Sequence, residues 1–292
     1  MKPVVNSTGR ELESGMPGGD FTLSAAEFDR IRELVREHTG IALSEAKRQL
    51  VYGRLSRRLR ALKLTAFRDY IAMIEDGHPE ELEEFTNAVT TNLTSFFREP
   101  HHFEYLAKDL LPKLVASDSG KRRLRIWCCA ASTGEEPYSI SMVLREAQPL
   151  LTGWDAKLLA TDLDSNVLAT GATGEYGADR FTNMSQARLK NWFSPVSGGA
   201  KRYSAVNELR SLITFKQLNL MHEWPMKGPF DAIFCRNVII YFDKPTQKVL
   251  FERMATMQRP GDHLFLGHSE SLYRVCDKYD LIGKTIYRRN HT

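Results

Sequence analysis

Apolar positions recur along this chain with two different periods, and the change of period divides it. From Phe21 to about Asn92 the spacing is helical: Val51, Leu55, Leu59 and Leu62 are four, four and three residues apart. Thr22 or Ser24 can cap a helix through Thr39, which Gly40 ends. A second helix begins near Ser44, and others are expected at about 66–76 and 79–91. Beyond a Thr- and Asn-rich junction at 90–100 comes one more helix, 101–116, and a loop from Ser117 to Lys121. Short apolar runs then alternate with helical ones: strand 124–130, helix 136–147, strand 157–162, helix 165–172. The stretch 175–215 breaks the alternation. It holds a short helix near 185–192, a Gly-Gly turn at 198–199 and strands near 201–206 and 211–216, and reads as an inserted β-rich subdomain. Strand 230–235, helix 245–257, strand 263–267, a helix after Ser269 and two short strands near 279–288 complete the pattern. The expectation is therefore a disordered leader at 1–20, a helical domain at 21–92, a linker and linking helix at 93–122, and an α/β domain at 123–292.

The α/β domain is organised around Leu124 to Ser139, LRIWCCAASTGEEPYS. A buried-strand run leads into small residues and then an acidic helix start, the first βα unit of a nucleotide-type fold. Small residues let a ligand approach the backbone closely. Glu135 and Glu136 at the helix start argue against a phosphate, which wants free N–H groups and no negative charge. They suit a cationic or hydroxyl-rich ligand such as the amino group or ribose of S-adenosylmethionine (SAM). The alternative is that both merely complement the helix dipole.

Composition narrows the setting. The chain has 292 residues, 42% hydrophobic and 26% charged, ordinary for a globular protein. No apolar stretch approaches the roughly 18 residues of a membrane span. The first residues have no apolar core and so do not read as a signal peptide. Cys128, Cys129, Cys235 and Cys276 lack C-x-x-C spacing and read as reduced thiols, with no metal site and a cytoplasmic location.

Residues at three further strand ends are candidates for the crevice that strand ends form in such a sheet. Asp162 ends the second strand, where an acid accepts ribose hydroxyl bonds; Asp164 competes but suits the cap of the next helix. Arg236 and Asn237 leave a buried strand, as crevice residues or as a structural loop. Asn219-Leu220 follows another strand and suits an adenine edge.

Four runs together resemble the chemotaxis receptor methyltransferase family, CheR: Asn92 to Arg98, Ala131 to Ser139, Phe230 to Val238, and Gly267 to Glu270. The resemblance extends from about Phe21 to about Arg288. It implies a small all-α receptor-binding domain followed by a Rossmann-like SAM-dependent methyltransferase domain with an inserted antiparallel β subdomain. It implies methyl transfer from SAM to glutamate side chains of bacterial chemoreceptors, giving methyl esters and S-adenosylhomocysteine. The cofactor contacts it implies are Asn92, Thr94, Arg98, Glu135, Asp162, Asn219, Leu220, Arg236 and Asn237. The insert would be a second receptor contact, docking a C-terminal pentapeptide in some members, which differ at the loop Ser194–Ala200. The protein would be recruited to membrane receptor arrays without entering the bilayer.

The chemistry is consistent with that reading. A glutamate is ionised at neutral pH, with an unperturbed pKa of about 4.3, and needs no general base to attack a methyl sulfonium. A cation must offset its desolvation, and Arg98 is the candidate, unless it clasps Glu99 or Glu104 structurally. Tyr241 offers an orienting hydroxyl or packs on Phe242. In the second helix Lys47, Arg54 and Arg58 fall within about 40° of one another at about 100° per residue. With Arg57 they would attract an acidic receptor segment, or else form a solvated face. Nucleic-acid methylation is the rival, but no Asn/Asp-Pro-Pro-Tyr or Pro-Cys motif follows the strand at 230–235. A non-catalytic SAM-responsive adaptor is a second rival.

Overall fold

The structure, a computed structural model, describes residues 20–117, 120–197 and 201–291. All of the expected leader at 1–20 but Asp20, and the Gly-Gly turn at 198–199, lie outside them. The chain divides into two compact units after Thr90.

The first unit is helical. Helix α1 (Ala25–Thr39) opens on a capping box: the Ser24 hydroxyl accepts from the Glu27 N–H, and the Glu27 carboxylate accepts from the Ser24 N–H at 2.8 Å. Gly40 closes it with φ 74°. A 3₁₀ turn at Glu45–Lys47 leads into α2 (Arg48–Leu62), followed by α3 (Phe67–Glu75) and α4 (Pro79–Val89), which starts on its proline. Their apolar stripes meet in a core that includes Phe28, Leu55, Leu59, Phe67, Tyr70 and Phe85. One carboxylate is buried there. Glu81 accepts from the Tyr70 hydroxyl at 2.8 Å and from the Arg58 guanidinium at 2.6 and 3.0 Å. Arg58 also reaches Glu84, and Arg54 donates to the carbonyls of Ala88 and Thr90. The expected stripe of Lys47, Arg54 and Arg58 is thus not a continuous solvated face. Lys47 sits in the 3₁₀ turn ahead of α2, and the other two turn toward α4. Lys47 and Arg57 are exposed.

The second unit begins with helices. The expected helix 101–116 is α5 (His101–Tyr105), a π-helical turn (Leu106–Leu110) and α6 (Leu111–Ser117). There follow β1 (Arg123–Cys128), α7 (Glu135–Glu146), β2 (Asp155–Asp162), α8 (Ser165–Thr173), β3 (Glu175–Gly177), α9 (Gln186–Trp192), β4 (Phe193–Pro195), β5 (Arg202–Ala205), α10 (Asn207–Arg210), β6 (Ile213–Gln217), β7 (Ala232–Cys235), α11 (Lys244–Thr256), β8 (His263–Leu266), β9 (Tyr279–Gly283) and β10 (Ile286–Arg289). The main sheet has the order β6-β2-β1-β7-β8-β10-β9, parallel from β6 to β8 and antiparallel beyond. Trp127 and Cys128 are wholly buried in β1, as a central parallel strand requires.

Two expectations need correction. The strand foreseen at 211–216 is β6. It belongs to the main sheet, pairing Leu158 with Ile213, so the insert is the three-stranded antiparallel sheet β3-β5-β4 with α9. After Ser269 the chain makes turns and no helix, because the Glu270 side chain accepts backbone N–H groups of two loops. The junction phenylalanines Phe96 and Phe97 are buried. Phe96 stacks on Phe181 of the insert at 5.1 Å, and Phe97 meets Phe103 edge-on.

Candidate cofactor crevice

The turn between β1 and α7 is built for close approach. Ser132 has φ 48° and Gly134 has φ 97°. A Cβ on Gly134 would lie 2.7 Å from the Tyr176 hydroxyl and 2.9 Å from Gly171 Cα, so only glycine fits. The Ser132 N–H donates to Asp162 Oδ2 at 2.8 Å, and the Asp164 N–H donates to Oδ1 at 3.0 Å. Burial pushes the Asp162 carboxyl up to about 6, against the pull of those N–H groups. Asp164 caps α8 by accepting from the Asn166 and Val167 N–H groups, and its other oxygen accepts from Asn92 Nδ2 at 2.7 Å. The Asn92 carbonyl accepts from the Ser132 hydroxyl, so Asn92, Ser132, Asp162 and Asp164 form one cluster. Thr94, two residues on, is half-buried.

The two glutamates at the start of α7 part company. Glu135, wholly buried, accepts from the Thr133 hydroxyl at 2.6 Å and pairs with Arg180 of the insert. Glu136 pairs with Arg236 and accepts from the Cys128 thiol. Both lie in the first turn and complement the dipole, but each also has its own guanidinium, which a dipole alone would not require.

Arg236 is almost fully buried and holds three partners: Glu136, Glu99 at 3.3 Å and the Arg98 carbonyl at 2.5 Å. Asn237 adopts φ 56° and donates through Nδ2 to Glu99. Glu270, also buried, accepts from the N–H groups of Gly267, Asn237 and Ile239 at 2.6, 2.8 and 2.9 Å, lacing the loop after β7 to the loop after β8. A Cβ on Gly267 would strike Asn237 Nδ2 at 2.4 Å. The Arg98 guanidinium donates to the Leu93 carbonyl at 2.9 Å and, among the described residues, makes no ion pair. The clasp imagined between Arg98 and Glu99 is instead made by Arg236.

The turn after β6 carries Asn219, whose Oδ1 accepts from the Met221 N–H, and the buried Leu220. Arg253 of α11 gathers this turn, donating to the carbonyls of Leu220, Met221 and His222 while lying over the Trp224 ring at 4.1 Å. Tyr241 ends a 3₁₀ turn after β7 and is half-buried. Among the described residues, Glu99, His101 and His102 bring three potential metal-ligand atoms within 4.8 Å. The fixed charge of Arg236 against Glu99 opposes a cation there.

Comparison with known proteins decides what this crevice belongs to. Residues 92–288 match the model described as CheR methyltransferase, SAM binding domain, and residues 26–90 match CheR methyltransferase, all-alpha domain. Chemotaxis protein methyltransferase 2 of Pseudomonas aeruginosa is 45% identical over 272 residues, covering 92% of this chain and 94% of that one. The probable chemotaxis protein methyltransferase of Rhizobium etli is 42% identical, covering 87% and 96%. The Escherichia coli chemotaxis protein methyltransferase is 41% identical, covering 91% and 92%. The chain belongs to the CheR methyltransferase family.

SAM, the cofactor of CheR methyltransferases, fits the residues present: a glycine cradle, buried carboxylates at strand ends, and acids rather than open N–H groups at the helix start. The structure brings Asn92, Glu135, Asp162, Arg236 and Asn237 to the strand ends of β1, β2 and β7 and the turns that leave them. Sequence reasoning missed the residues that hold them. Glu270 ends the run Gly267 to Glu270, and Glu99 stands beside Arg98. Arg180 and Arg253 carried no local signal, since their partners are 45 and about 32 residues away.

Proposed function

We propose that this protein transfers a methyl group from SAM to glutamate side chains of chemoreceptors, yielding methyl esters. The observation that carries the reading is Arg98, which makes no ion pair among the described residues and whose carbonyl is held by Arg236 at the end of β7. SAM supplies a methyl group on a positively charged sulfur. The crevice residues do the rest. Asp162, Glu135, Asn92 and Asn237 bind and orient through acceptors and amides, Thr94 and Arg98 border them, and the Asn219-Leu220 turn receives the adenine. Arg98 offers a planar pair of donors to the incoming carboxylate, with Tyr241 orienting it. Phe96 and Phe97 exclude water by their burial. No proton has to be removed, because the nucleophile is a carboxylate. The Cys128 and Cys129 thiols are no competing nucleophiles, since burial pushes both pKa values up.

The partners follow from the same reading. Methylation helices of receptors would approach the exposed Lys47 and Arg57, with Arg54 and Arg58 adding field rather than contact. The insert ends on edge strands β3 and β4, to which an extended receptor pentapeptide can add. Among the described residues no helix is long and apolar enough to cross a membrane. The protein would work in the cytoplasm at receptor arrays, without a metal. The test is radiolabelled methyl transfer onto receptor cytoplasmic domains, with base-labile release marking an ester. Label that resists mild base, or that persists when the accepting glutamates are replaced by alanine, overturns the proposal.

A further inference from the structure

Glu99 follows Arg98 and has a backbone φ of 58°, the left-handed region that residues bearing a Cβ seldom adopt. Three loop residues reach its carboxylate. Oε1 accepts from His268 Nδ1 at 2.9 Å and from Asn237 Nδ2 at 3.3 Å, and Oε2 lies 3.3 Å from Arg236 Nη2. That same Nη2 donates to the Arg98 carbonyl at 2.5 Å. One guanidinium therefore hydrogen-bonds the main chain of Arg98 and stands as counter-ion, without a hydrogen bond, to the Oε2 of Glu99. Asn237 is fixed in turn by Glu270, and the Glu99 grip reaches the loops after β7 and β8. By contrast, the Arg98 side chain is tied to the Leu93 carbonyl alone among its described contacts. The backbone is anchored and the guanidinium is left to a ligand.

We infer that Glu99 is a positioning residue for methyl transfer: it locks the Arg98 main chain against the loop after β7, so that the Arg98 guanidinium meets the substrate carboxylate at a fixed place. This rests on the proposed role of Arg98. The lock needs a charge as well as a shape. Burial works against ionisation of Glu99, but His268, Arg236 and Asn237 overcome it and hold the carboxyl down to about 2. It is negative throughout the working range. Glutamine keeps the size and one acceptor oxygen but loses the attraction to Arg236. Aspartate keeps the charge, and short polar side chains tolerate the left-handed region better.

The experiment measures kcat, the KM for SAM, the S-adenosylhomocysteine Kd and the thermal midpoint on the full chain, with a receptor cytoplasmic domain as substrate. Glu99→Gln should lower kcat by about tenfold to a hundredfold, the cost of a small misplacement at the reacting centre. Its S-adenosylhomocysteine Kd should stay within about threefold, and Glu99→Asp, which keeps the charge but is one methylene short of its partners, should recover part of the rate. His268→Ala, which removes one exposed donor, should show a smaller loss of the same kind. Equal rates for the Asp and Gln variants would overturn the inference. So would a wild-type kcat beside a lowered midpoint, or a loss confined to KM and Kd. No turnover by the wild-type protein would overturn the functional reading itself, and the inference with it; a normal Glu99→Gln beside an active wild type overturns the inference alone.

Discussion

The helical unit and the cofactor crevice each contain a set of arginines, and in each the set is divided between anchored and available members. In α2, Arg58 is committed to Glu81 and Glu84 while Arg57 is exposed. At the crevice, Arg236 is committed to Glu136, Glu99 and a carbonyl, while Arg98 makes no ion pair among the described residues. The anchored members differ in what they hold. Arg58 neutralises a carboxylate inside a helical core, so its loss is a matter of stability. Arg236 ties loops that carry binding residues, so its loss is a matter of geometry. A buried ion pair says nothing by itself about function; the elements it joins do.

The sharpest way to break this contrast is Arg98→Ala. Its single described side-chain bond is to the Leu93 carbonyl, so the thermal midpoint should hardly move. Turnover should fall by about a hundredfold or more, because the substrate carboxylate would lose its orienting partner in a desolvated site. Arg98→Lys keeps the charge without the fork and should recover part of the rate. A lowered midpoint with full kcat per folded molecule would place Arg98 with the anchored arginines.

Arg58→Ala should do the reverse. Glu81 would remain buried with only the Tyr70 hydroxyl as side-chain partner, while the Arg58 side chain is itself about 24% exposed. Breaking a partly screened pair of this kind costs about 2 kcal/mol. Chemical denaturation read by circular dichroism should show that loss with S-adenosylhomocysteine affinity intact. Arg57→Glu on the same helix should change stability by less than about 0.5 kcal/mol. It should slow receptor methylation severalfold at low salt and less at high salt. A salt-independent rate, equal to wild type, would return α2 to a solvated face.

The difference between these arginines was not legible in the sequence. Spacing aligned Lys47, Arg54 and Arg58, but the acids that face Arg58 lie 23 and 26 residues away, on α4. Local pattern did carry a helix cap at Thr22 or Ser24, the buried strand from Leu124 and the small-residue turn that follows it, because each depends on residues a few positions apart; that Ser24 is the cap, with Glu27 closing the box, came from the structure. It failed where partners are remote. The strand at 213–217 reads the same in an insert as in the main sheet, since both want alternating apolar residues; its parallel register with β2 decides. The segment after Ser269 has helix-compatible residues, but Glu270 is bonded to backbone N–H groups 3 and about 32 residues away. The crevice was legible as a set of ligands and not as a set of braces.

Asp162 and Glu99 extend the comparison to pH, since their pKa values move in opposite directions. For Glu99, held down to about 2, the native interactions contribute stability above its unfolded pKa and lose it as pH falls toward 2. For Asp162, pushed up by burial to about 6, the folded chain gains stability as pH falls through 6, whereas a hydroxyl ligand wants the ionised acceptor. Affinity for S-adenosylhomocysteine should therefore be flat above about pH 7 and fall about tenfold by pH 5. Asp162→Asn should bind weakly and without that slope. Calorimetric titration across this range checks both; a pH-independent wild-type Kd would remove Asp162 from the ribose and leave Asp164 as the acid.

A modest effect is expected at Arg253, and it separates anchoring for affinity from anchoring for rate. Arg253 collects the carbonyls of Leu220, Met221 and His222 and covers Trp224, whose indole stands edge-on to Trp127 at 4.9 Å. Burial lowers its pKa from the usual arginine value, but the guanidinium remains charged at any working pH. Removing it frees a turn that carries the Asn219-Leu220 pair and leaves the Arg98 segment with all its bonds. Arg253→Met, which keeps the stem over Trp224, should raise the KM for SAM about fivefold, the scale of one or two lost hydrogen bonds, with kcat at saturation within about twofold. Lysine keeps the charge but cannot reach three carbonyls from one planar group, so Arg253→Lys should recover less than half of the affinity. Tryptophan fluorescence offers a second reading, because S-adenosylhomocysteine should then change the Trp224 signal at higher concentration than in the wild-type chain. A fall in kcat equal to that of Glu99→Gln would mean that the two anchors act on the same step and that the crevice moves as one body.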